Sequence, residues 1–139
     1  MVSVGVFLKG STARIVTLAG TRKNHSLEKA EFHKLDLPTP VDPEGTKNFL
    51  TALNSHLQEM GADTVVLNKR QGSGTHASAG ATFHMEGALF AACSTPCSLI
   101  APATLSATHR KHAKLKTSRP TTVALGSAYD LAFHGLGEG

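Results

Sequence analysis

The sequence predicts one α/β domain in which a mixed sheet of five strands is flanked by helices. Two patterns predict this class. Up to Leu37 the chain consists of apolar runs joined by short turns, and beyond it amphipathic helices alternate with short apolar strands. Strands joined by hairpins are antiparallel, whereas strands joined through helices are parallel. The chain has 139 residues, enough for a single core, so residues 1–139 are assigned to one domain.

Three strands are predicted before the first proline. Residues 2–8 and 13–18 are apolar runs that a Gly-Ser step separates, which suits a tight turn. Residues 31–37 form a less regular third run, and the prolines that follow end it. Together these runs predict an antiparallel meander.

A long helix is predicted between Asp42 and Gly61. Asp42 is a good N-cap, Pro43 suits the first helical position, and Gly61 is typical of a helix end. Apolar side chains at helical spacing share one face: Phe49, Leu50, Leu53, Leu57 and Met60. This face should pack on the sheet.

The rest of the chain predicts two parallel strands and two helices. Residues 64–67 and 98–101 are short and wholly apolar, which is typical of strands covered on both faces. Between them Thr82 is the expected N-cap of a helix running to about residue 93. A last helix should begin near residues 121–122. No repeat or low-complexity tract suggests a second domain.

Positive charge is concentrated in one segment. The formal net charge is +4, and no acidic residue occurs between Glu86 and Asp130. Within that stretch, the residues assigned to anion binding are His109, Arg110, Lys111, Lys114, Lys116 and Arg119. The segment has no clear periodicity, so no helix is predicted there. Such a field attracts phosphate backbones or other acidic partners, and a solvated basic loop is the alternative.

A second anion-binding candidate follows the first parallel strand. Lys69 and Arg70 lead into residues 70–80, RQGSGTHASAG, which precede a helix. Open backbone N–H groups and a helix N-terminus favour anions at such a place. The glycines are not followed by Lys-Ser or Lys-Thr, so the loop is not a Walker motif. A flexible connection is the alternative.

Neither the thiols nor the imidazoles match an established metal pattern. Cys93 and Cys97 are the only cysteines, and their spacing is neither a redox nor a zinc motif. We expect both to be reduced, Cys93 on a helix and Cys97 entering a strand. The i, i+3 pair His109 and His112 lacks further ligands at zinc spacing. No cofactor is therefore expected.

The chain shows no sign of membrane targeting. Its N-terminus lacks a charged region followed by a long apolar stretch, and no apolar run approaches the length that spans a bilayer. We expect a cytoplasmic protein with no membrane association. The phenylalanines fall at core positions, which disfavours a base-stacking platform for single strands.

Five segments resemble members of the ribonuclease-H-like superfamily, of the type found in Holliday-junction resolvases. They are residues 4–10 (VGVFLKG), 65–70 (VVLNKR), 80–88 (GATFHMEGA), 99–105 (LIAPATL) and 128–132 (AYDLA). In order, they resemble the first strand and turn, the fourth strand, the next helix start, the fifth strand and the final helix. Overall the chain is similar, over nearly its whole length, to a small bacterial family of unknown function in that superfamily. The resemblance implies a ribonuclease-H-like fold.

The resemblance also implies a metal centre whose acids are largely missing here. Nucleases of this fold hold two divalent ions with carboxylates from the first strand, the end of the fourth strand and the final helix. Phe7 and Lys69 fall at or near the first two positions, and Asp130 falls on the final helix. Glu86 is a further candidate from another element. Residues 1–27 contain no Asp or Glu, so no shift of register supplies the first acid.

The leading hypothesis is therefore a catalytically degenerate ribonuclease-H-like domain that binds an anionic partner such as nucleic acid. Lys69, Arg70 and residues 109–119 would form the binding surface. One alternative is a residual nuclease that uses Glu86 and Asp130 with Mg²⁺ or Mn²⁺. The other is a non-enzymatic scaffold or homodimer. The sequence leaves these readings open.

Overall fold

A computed structural model describes residues 1–28, 33–69 and 80–137. The strands are β1 (Val2–Lys9), β2 (Thr12–Gly20), β3 (His25–Leu27), β4 (Lys34–Asp36), β5 (Thr64–Asn68) and β6 (Cys97–Ile100). The helices are α1 (Pro43–Met60), α2 (Gly80–Ala92), α3 (Pro102–His112) and α4 (Val123–Gly135), with a 3-10 turn at Ala113–Leu115. Within the described ranges, no helix is both long and apolar enough to cross a membrane.

One mixed sheet runs through the domain in the order β3-β2-β1-β5-β6, and β4 also pairs with β2. β1 is the central strand, antiparallel to β2 and parallel to β5, which is in turn parallel to β6. The predicted division into an antiparallel and a parallel half is confirmed. The carboxyl ends of the three parallel strands therefore lie at one edge of the sheet, where Asn68 is paired with Ile100.

Of the third predicted strand, residues 31–37, the structure shows the short strand β4, and residues 31 and 32 lie outside the described residues. β3 is a further short strand that was not predicted. β3 pairs with Leu18–Gly20 and β4 pairs with Thr12–Arg14, so both lie along the nine-residue β2. The sheet consequently has six strands instead of five. Residues 21–24 make the tight turn between β2 and β3, which is closed by a 2.9 Å hydrogen bond from the Thr21 amide to the Asn24 carbonyl.

The helix α1 matches its sequence prediction at both ends. Asp42 Oδ1 accepts a hydrogen bond from the Gly45 amide at 2.7 Å. Gly61 adopts the left-handed conformation at φ 63° and ends the helix. Of the predicted apolar face, Phe49, Leu53 and Leu57 are buried, and Leu50 packs at the margin of the same core.

The second helix begins earlier than predicted. α2 begins at Gly80, so Thr82 lies within the helix instead of capping it. Thr82 is buried, and its hydroxyl donates to the Gly10 carbonyl at 2.8 Å. This bond ties α2 to the β1–β2 turn.

The helix α3 was not predicted. Pro102 occupies its first turn instead of merely ending the preceding strand, and the helix includes the first half of the basic segment. None of its residues is buried, so no apolar stripe marks it in the sequence. The remaining helix, α4, begins at Val123 as predicted.

Two apolar clusters cover the two faces of the sheet. Val4, Val6 and Leu8 of β1 belong to the cluster under α1 and α2. Phe7 packs against the other cluster, which includes much of α4. At Gly5 the helix lies directly on the strand, because a Cβ there would stand 2.5 Å from the Ala132 nitrogen. α4 is therefore held against the middle of β1.

Candidate functional site

The acid on α4 sits in a compact cluster of cations. Asp130 is 6% exposed, and its Oδ1 accepts hydrogen bonds from Lys116 Nζ at 2.8 Å and Arg119 Nε at 3.0 Å. Its Oδ2 accepts from Arg119 Nη2 at 3.0 Å. His109 Nδ1 lies 3.7 Å from Asp130 Oδ1 and accepts from Lys116 Nζ at 3.0 Å. These four residues, the Asp130 cluster, tie α4 to α3 and to the connection between them.

The cations determine the ionisation of Asp130. Burial on its own would raise the pKa of this carboxyl, but hydrogen bonds from Arg119 and Lys116 outweigh burial and lower it. Burial lowers the pKa of Lys116, and the hydrogen bond to Asp130 opposes that effect. The hydrogen bond to Asp130 raises the pKa of Arg119. At neutral pH Asp130 is thus a carboxylate whose two oxygens both accept bonds from cations.

The lowered pKa of Asp130 predicts a specific loss of stability in acid. A depressed carboxyl pKa adds stability that is complete above the unfolded pKa, about 3.9, and disappears as pH falls through the lower folded pKa. We therefore expect the free energy of unfolding to drop more steeply below about pH 4 in the wild type than in Asp130→Asn. Urea titrations at a series of pH values measure this difference. Parallel pH curves for the two proteins would contradict it.

The positions that correspond to the first two acids of the nucleases hold no carboxylate. Phe7 is an apolar ring packed against the α4 cluster. At the end of β5, Asn68 Oδ1 accepts from the Leu8 amide at 2.7 Å and its Nδ2 donates to the Leu8 carbonyl at 3.0 Å. The following Lys69 is exposed. Asn68 therefore extends the pairing between β5 and β1 where a metal ligand is expected.

The two acids that the nuclease alternative requires lie on helices at opposite faces of the sheet. Glu86 is buried on α2, which packs with α1 on one face of the sheet, and Asp130 is on α4 at the other face. Among residues 1–28, 33–69 and 80–137, no group of three His, Cys, Asp or Glu side chains is arranged to hold a metal ion. With Asp130 already bonded to Lys116 and Arg119, these residues do not fit a two-metal centre.

Exposed cations surround the carboxyl end of α3. Arg110, Lys111 and Lys114 are exposed there, and Arg22 and Lys23 approach from the β2–β3 turn. We call these five residues the cationic face. Its centre is a surface depression of about 350 Å³ lined by Arg22, Lys23, Lys111, His112 and Leu115. Arg22 is held in place by its Nη2, which donates to the His134 carbonyl at 2.8 Å.

The structure divides the binding surface predicted from the sequence. Lys111 and Lys114 belong to the cationic face alone, and His109, Lys116 and Arg119 belong to the Asp130 cluster. Arg110 lies between the two, because it lines a separate depression with His109 and Asp130. Arg70 and the Gly-rich loop through residue 79 lie outside the described residues.

Lys69 lies far from the cationic face. It follows β5 at the carboxyl edge of the sheet, where its amide donates to the Ile100 carbonyl at 2.8 Å. The β2–β3 turn is at the opposite edge, because the Gly20 amide donates to the Met1 carbonyl. The eight residues of β1 separate the two edges by about 25 Å.

Arg22 and Lys23 were missed by sequence reasoning. They occur about eighty residues before α3, and only the basic pair in a polar turn hinted at a role. Their proximity to Lys111 follows from the pairing of β2 with β1 and from the packing of α4 on both strands. The bond from the Arg22 amide to the Gly137 carbonyl at 2.8 Å fixes this turn beside the end of α4.

Comparisons with known proteins agree with this architecture. The structure of RuvC from Thermus thermophilus in complex with a Holliday junction substrate has a TM-score of 0.69, 16% identity, and coverage of 96% of this chain and 90% of that chain. A second structure of Thermus thermophilus RuvC has a TM-score of 0.67, 16% identity, and coverage of 96% and 92%. The yeast mitochondrial Holliday junction resolvase Ydc2 has a TM-score of 0.52, 11% identity, and coverage of 94% and 74%.

These likenesses confirm the predicted ribonuclease-H-like fold. No protein with a curated description matches the chain. The model of one family, described as "Protein of unknown function (DUF3010)", matches residues 1–135. This match agrees with the resemblance to a family of unknown function that the sequence segments indicated. The chain therefore belongs to the DUF3010 family of proteins of unknown function.

Proposed function

We propose that this domain binds nucleic acid, or a chemically similar polyanion, without cleaving it. The Asp130 cluster is the observation that supports the proposal most strongly. The acid of the final helix is bonded to Lys116 and Arg119. In the neighbouring cationic face, Arg22 is half-buried and the other four cations are exposed. The same fold occurs in Thermus thermophilus RuvC and in a fowlpox virus resolvase, each solved with Holliday junction DNA, which supports nucleic acid as the class of partner.

The cationic face has properties that suit a phosphate backbone. Three of its cations, Arg22, Lys23 and Lys111, come from two segments, the β2–β3 turn and the end of α3, and line one depression. Arg22 is already positioned by bonds to α4 carbonyls, so less side-chain entropy is lost on binding. Contacts to phosphate give affinity and orientation but little sequence information. We therefore propose binding that depends weakly on sequence.

Binding to DNA should weaken steeply with salt. With about four phosphate contacts, the association constant should fall on the order of 100-fold between about 50 and 200 mM salt, because binding releases counterions. Fluorescence anisotropy of a labelled four-way junction and of a duplex of equal length measures this slope. Undetectable or salt-insensitive binding would contradict the proposal, and a stable dimer that binds neither DNA would favour the scaffold alternative.

Charge-reversal variants test which surface of the domain binds DNA. The double variant Arg110→Glu, Lys111→Glu should lower the affinity at least about tenfold at low salt, because it removes two contacts and adds repulsion. The matched control is Lys34→Glu, Lys47→Glu, which makes the same change of net charge at exposed positions on β4 and α1. An equal loss in both variants would show that only net charge matters and would contradict the assignment of the surface.

A charge-reversal variant at the carboxyl edge of the sheet provides the second comparison of DNA affinity. Lys9→Glu, Lys69→Glu changes two exposed lysines at that edge, where the sequence also predicted binding through Lys69 and Arg70. Under the proposal this variant loses less affinity than the α3 variant. A loss of affinity greater than that of the α3 variant would show that DNA binds at the carboxyl edge of the sheet instead.

Cleavage assays separate the proposal from the nuclease alternative. The labelled junction should stay intact with Mg²⁺ or Mn²⁺, because the acids present do not assemble a two-metal centre. Metal-dependent cleavage that is abolished by both Asp130→Asn and Glu86→Gln would overturn the non-cleaving part of the proposal. A charge-reversed α3 variant in the same assay would show whether any cleavage depends on the cationic face.

A further inference from the structure

The depression at the centre of the cationic face combines positive charge with a ring and an aliphatic side chain. It measures about 350 Å³ and is lined by Arg22, Lys23, Lys111, the imidazole of His112 at the end of α3, and Leu115 of the 3-10 turn. None of these five residues is acidic. Sites that take small molecules have volumes of about 300–1,000 Å³. The depression is therefore large enough for one heterocyclic group and lies in a positive field.

The imidazole of His112 is held against the core beneath the depression. Phe133 of α4 is fully buried, and the centroids of its ring and of the His112 ring are 6.0 Å apart at an interplanar angle of 51°. Aromatic rings at this separation attract one another. His112 is half-buried, so part of its side chain is covered by the protein while part lines the depression. The ring is thus positioned before a ligand binds.

Arg22 is fixed against the same phenylalanine. Its Cζ lies 5.7 Å from the centroid of the Phe133 ring, and its Nε donates to the Phe133 carbonyl at 3.4 Å. Its Nη2 donates to the His134 carbonyl. Lys23 and Lys111, by contrast, are exposed. A ligand in the depression therefore meets a positioned ring and guanidinium group, together with two ammonium groups that extend into solvent.

A phosphate group alone does not account for this lining. Phosphate is recognised by cations and N–H donors, which make no use of the aliphatic side chain of Leu115 or of the face of an aromatic ring. A nucleobase does use them, because its planar faces stack on rings such as imidazole and pack on apolar groups. The phosphates next to that base in a strand would lie among the cations.

We infer that this depression binds one unpaired nucleobase of a nucleic-acid strand, which stacks on His112 while the flanking phosphates contact the three cations of the lining. The inference rests on the proposed nucleic-acid binding and specifies the feature of the nucleic acid that the site recognises. Within a duplex both faces of a base are covered by its neighbours, so a paired base cannot enter. A single ring gives one stacking position, which differs from the platform of several rings that the sequence disfavoured.

Two labelled DNA duplexes of equal length test this preference by fluorescence anisotropy. One is fully paired, and the other carries a single extra, unpaired deoxyadenosine in one strand. At equal salt the wild-type protein should bind the bulged duplex about fivefold more tightly or better, because stacking of one base on a side chain contributes at least that factor. Equal affinity for the two duplexes would overturn the inference and leave the proposed binding of nucleic acid intact. If neither duplex binds, the proposed function and the inference both fail.

An abasic bulge separates the base from the shape of the DNA. This third duplex keeps the extra phosphate and the bend of the bulge but lacks the unpaired base. The wild-type protein should bind it no more tightly than the paired duplex. An affinity equal to that for the deoxyadenosine bulge would show that the protein recognises the bend, and would overturn the base-binding role of the depression.

Variants of His112 test whether the preference arises in this depression. His112→Ala should equalise the affinities for bulged and paired duplexes and keep that for the paired duplex within about twofold, because the cations remain. His112→Phe keeps a ring that can stack and should keep the preference. His84→Ala, at an exposed position of α2 on the other face of the sheet, is the matched control and should behave as the wild type. A preference that survives in His112→Ala would overturn the assignment.

Free nucleotides have the same chemistry, and competition distinguishes them from a strand. Deoxyadenosine monophosphate carries the base but only one phosphate group, so it should displace the bulged duplex only at millimolar concentration. Displacement at micromolar concentration would show that the depression takes a free nucleotide, and would overturn its assignment to a nucleic-acid strand.

Discussion

Replacing Gly5 with alanine is expected to unfold the domain or to lower its free energy of unfolding by more than about 3 kcal/mol. A Cβ at this position would lie 2.5 Å from the Ala132 nitrogen and nearer still to the Ala128 carbonyl oxygen. Both are backbone atoms of α4, so no side chain can rotate away to make room. The helix would have to lift from β1 and expose the apolar cluster beneath it.

Urea denaturation followed by circular dichroism measures this loss. Gly87→Ala is the matched control, because a Cβ on this exposed α2 residue meets nothing within 4 Å. Alanine there should raise the free energy of unfolding by about 0.5–1 kcal/mol, owing to its higher helix propensity. If Gly5→Ala were as stable as the wild type, α4 would not lie on β1 as closely as described.

Removing the carboxylate of Asp130 should cost about 3–5 kcal/mol of unfolding free energy, the usual cost of breaking a buried ion pair. In Asp130→Ala, the side chain of Lys116, which is 1% exposed, loses its hydrogen-bond acceptor and the negative charge that counters the effect of burial on its pKa. Arg119 loses both of its bonds to the same carboxylate. Stability measured by urea denaturation at neutral pH gives the size of the effect.

The double variant Asp130→Leu, Lys116→Met distinguishes lost pairing from lost packing. Removing both charges eliminates the uncompensated cation, so the double variant should be more stable than Asp130→Ala. Thr51→Ala, at an exposed position of α1 on the opposite helical layer, is a suitable control for general sensitivity to substitution, and should change stability little. A double variant as unstable as Asp130→Ala would mean that packing, not pairing, governs this position.

The elements that the sequence predicted correctly are those with local signals. α1 has a cap at Asp42 and a left-handed glycine at Gly61, and its apolar residues fall at helical spacing, so both ends and the buried face could be predicted. β5 is a short apolar strand between helices and was also predicted. α3 was missed because none of its residues is buried, and periodicity detects only a helix with a buried face.

The candidate site depended on contacts that no local pattern encodes. The segment 109–119 could be identified as basic, but which of its cations face solvent depends on where α4 lies. Lys116 and Arg119 are 14 and 11 residues from Asp130, and their bonds form only because the chain turns back along α4 after α3. The contribution of Arg22 to the cationic face likewise depends on strand pairing.

The close packing of α4 on β1 has a consequence for how the protein is synthesised. The helix that covers β1 and β2 occupies residues 123–135, more than a hundred residues after those strands. A nascent chain therefore emerges with Val16 and Leu18 on an uncovered sheet face until this helix is also available. Such long-range contacts slow folding and prolong the exposure of apolar surface. Folding of this face of the domain should consequently be completed only after residues 123–135 have left the ribosome.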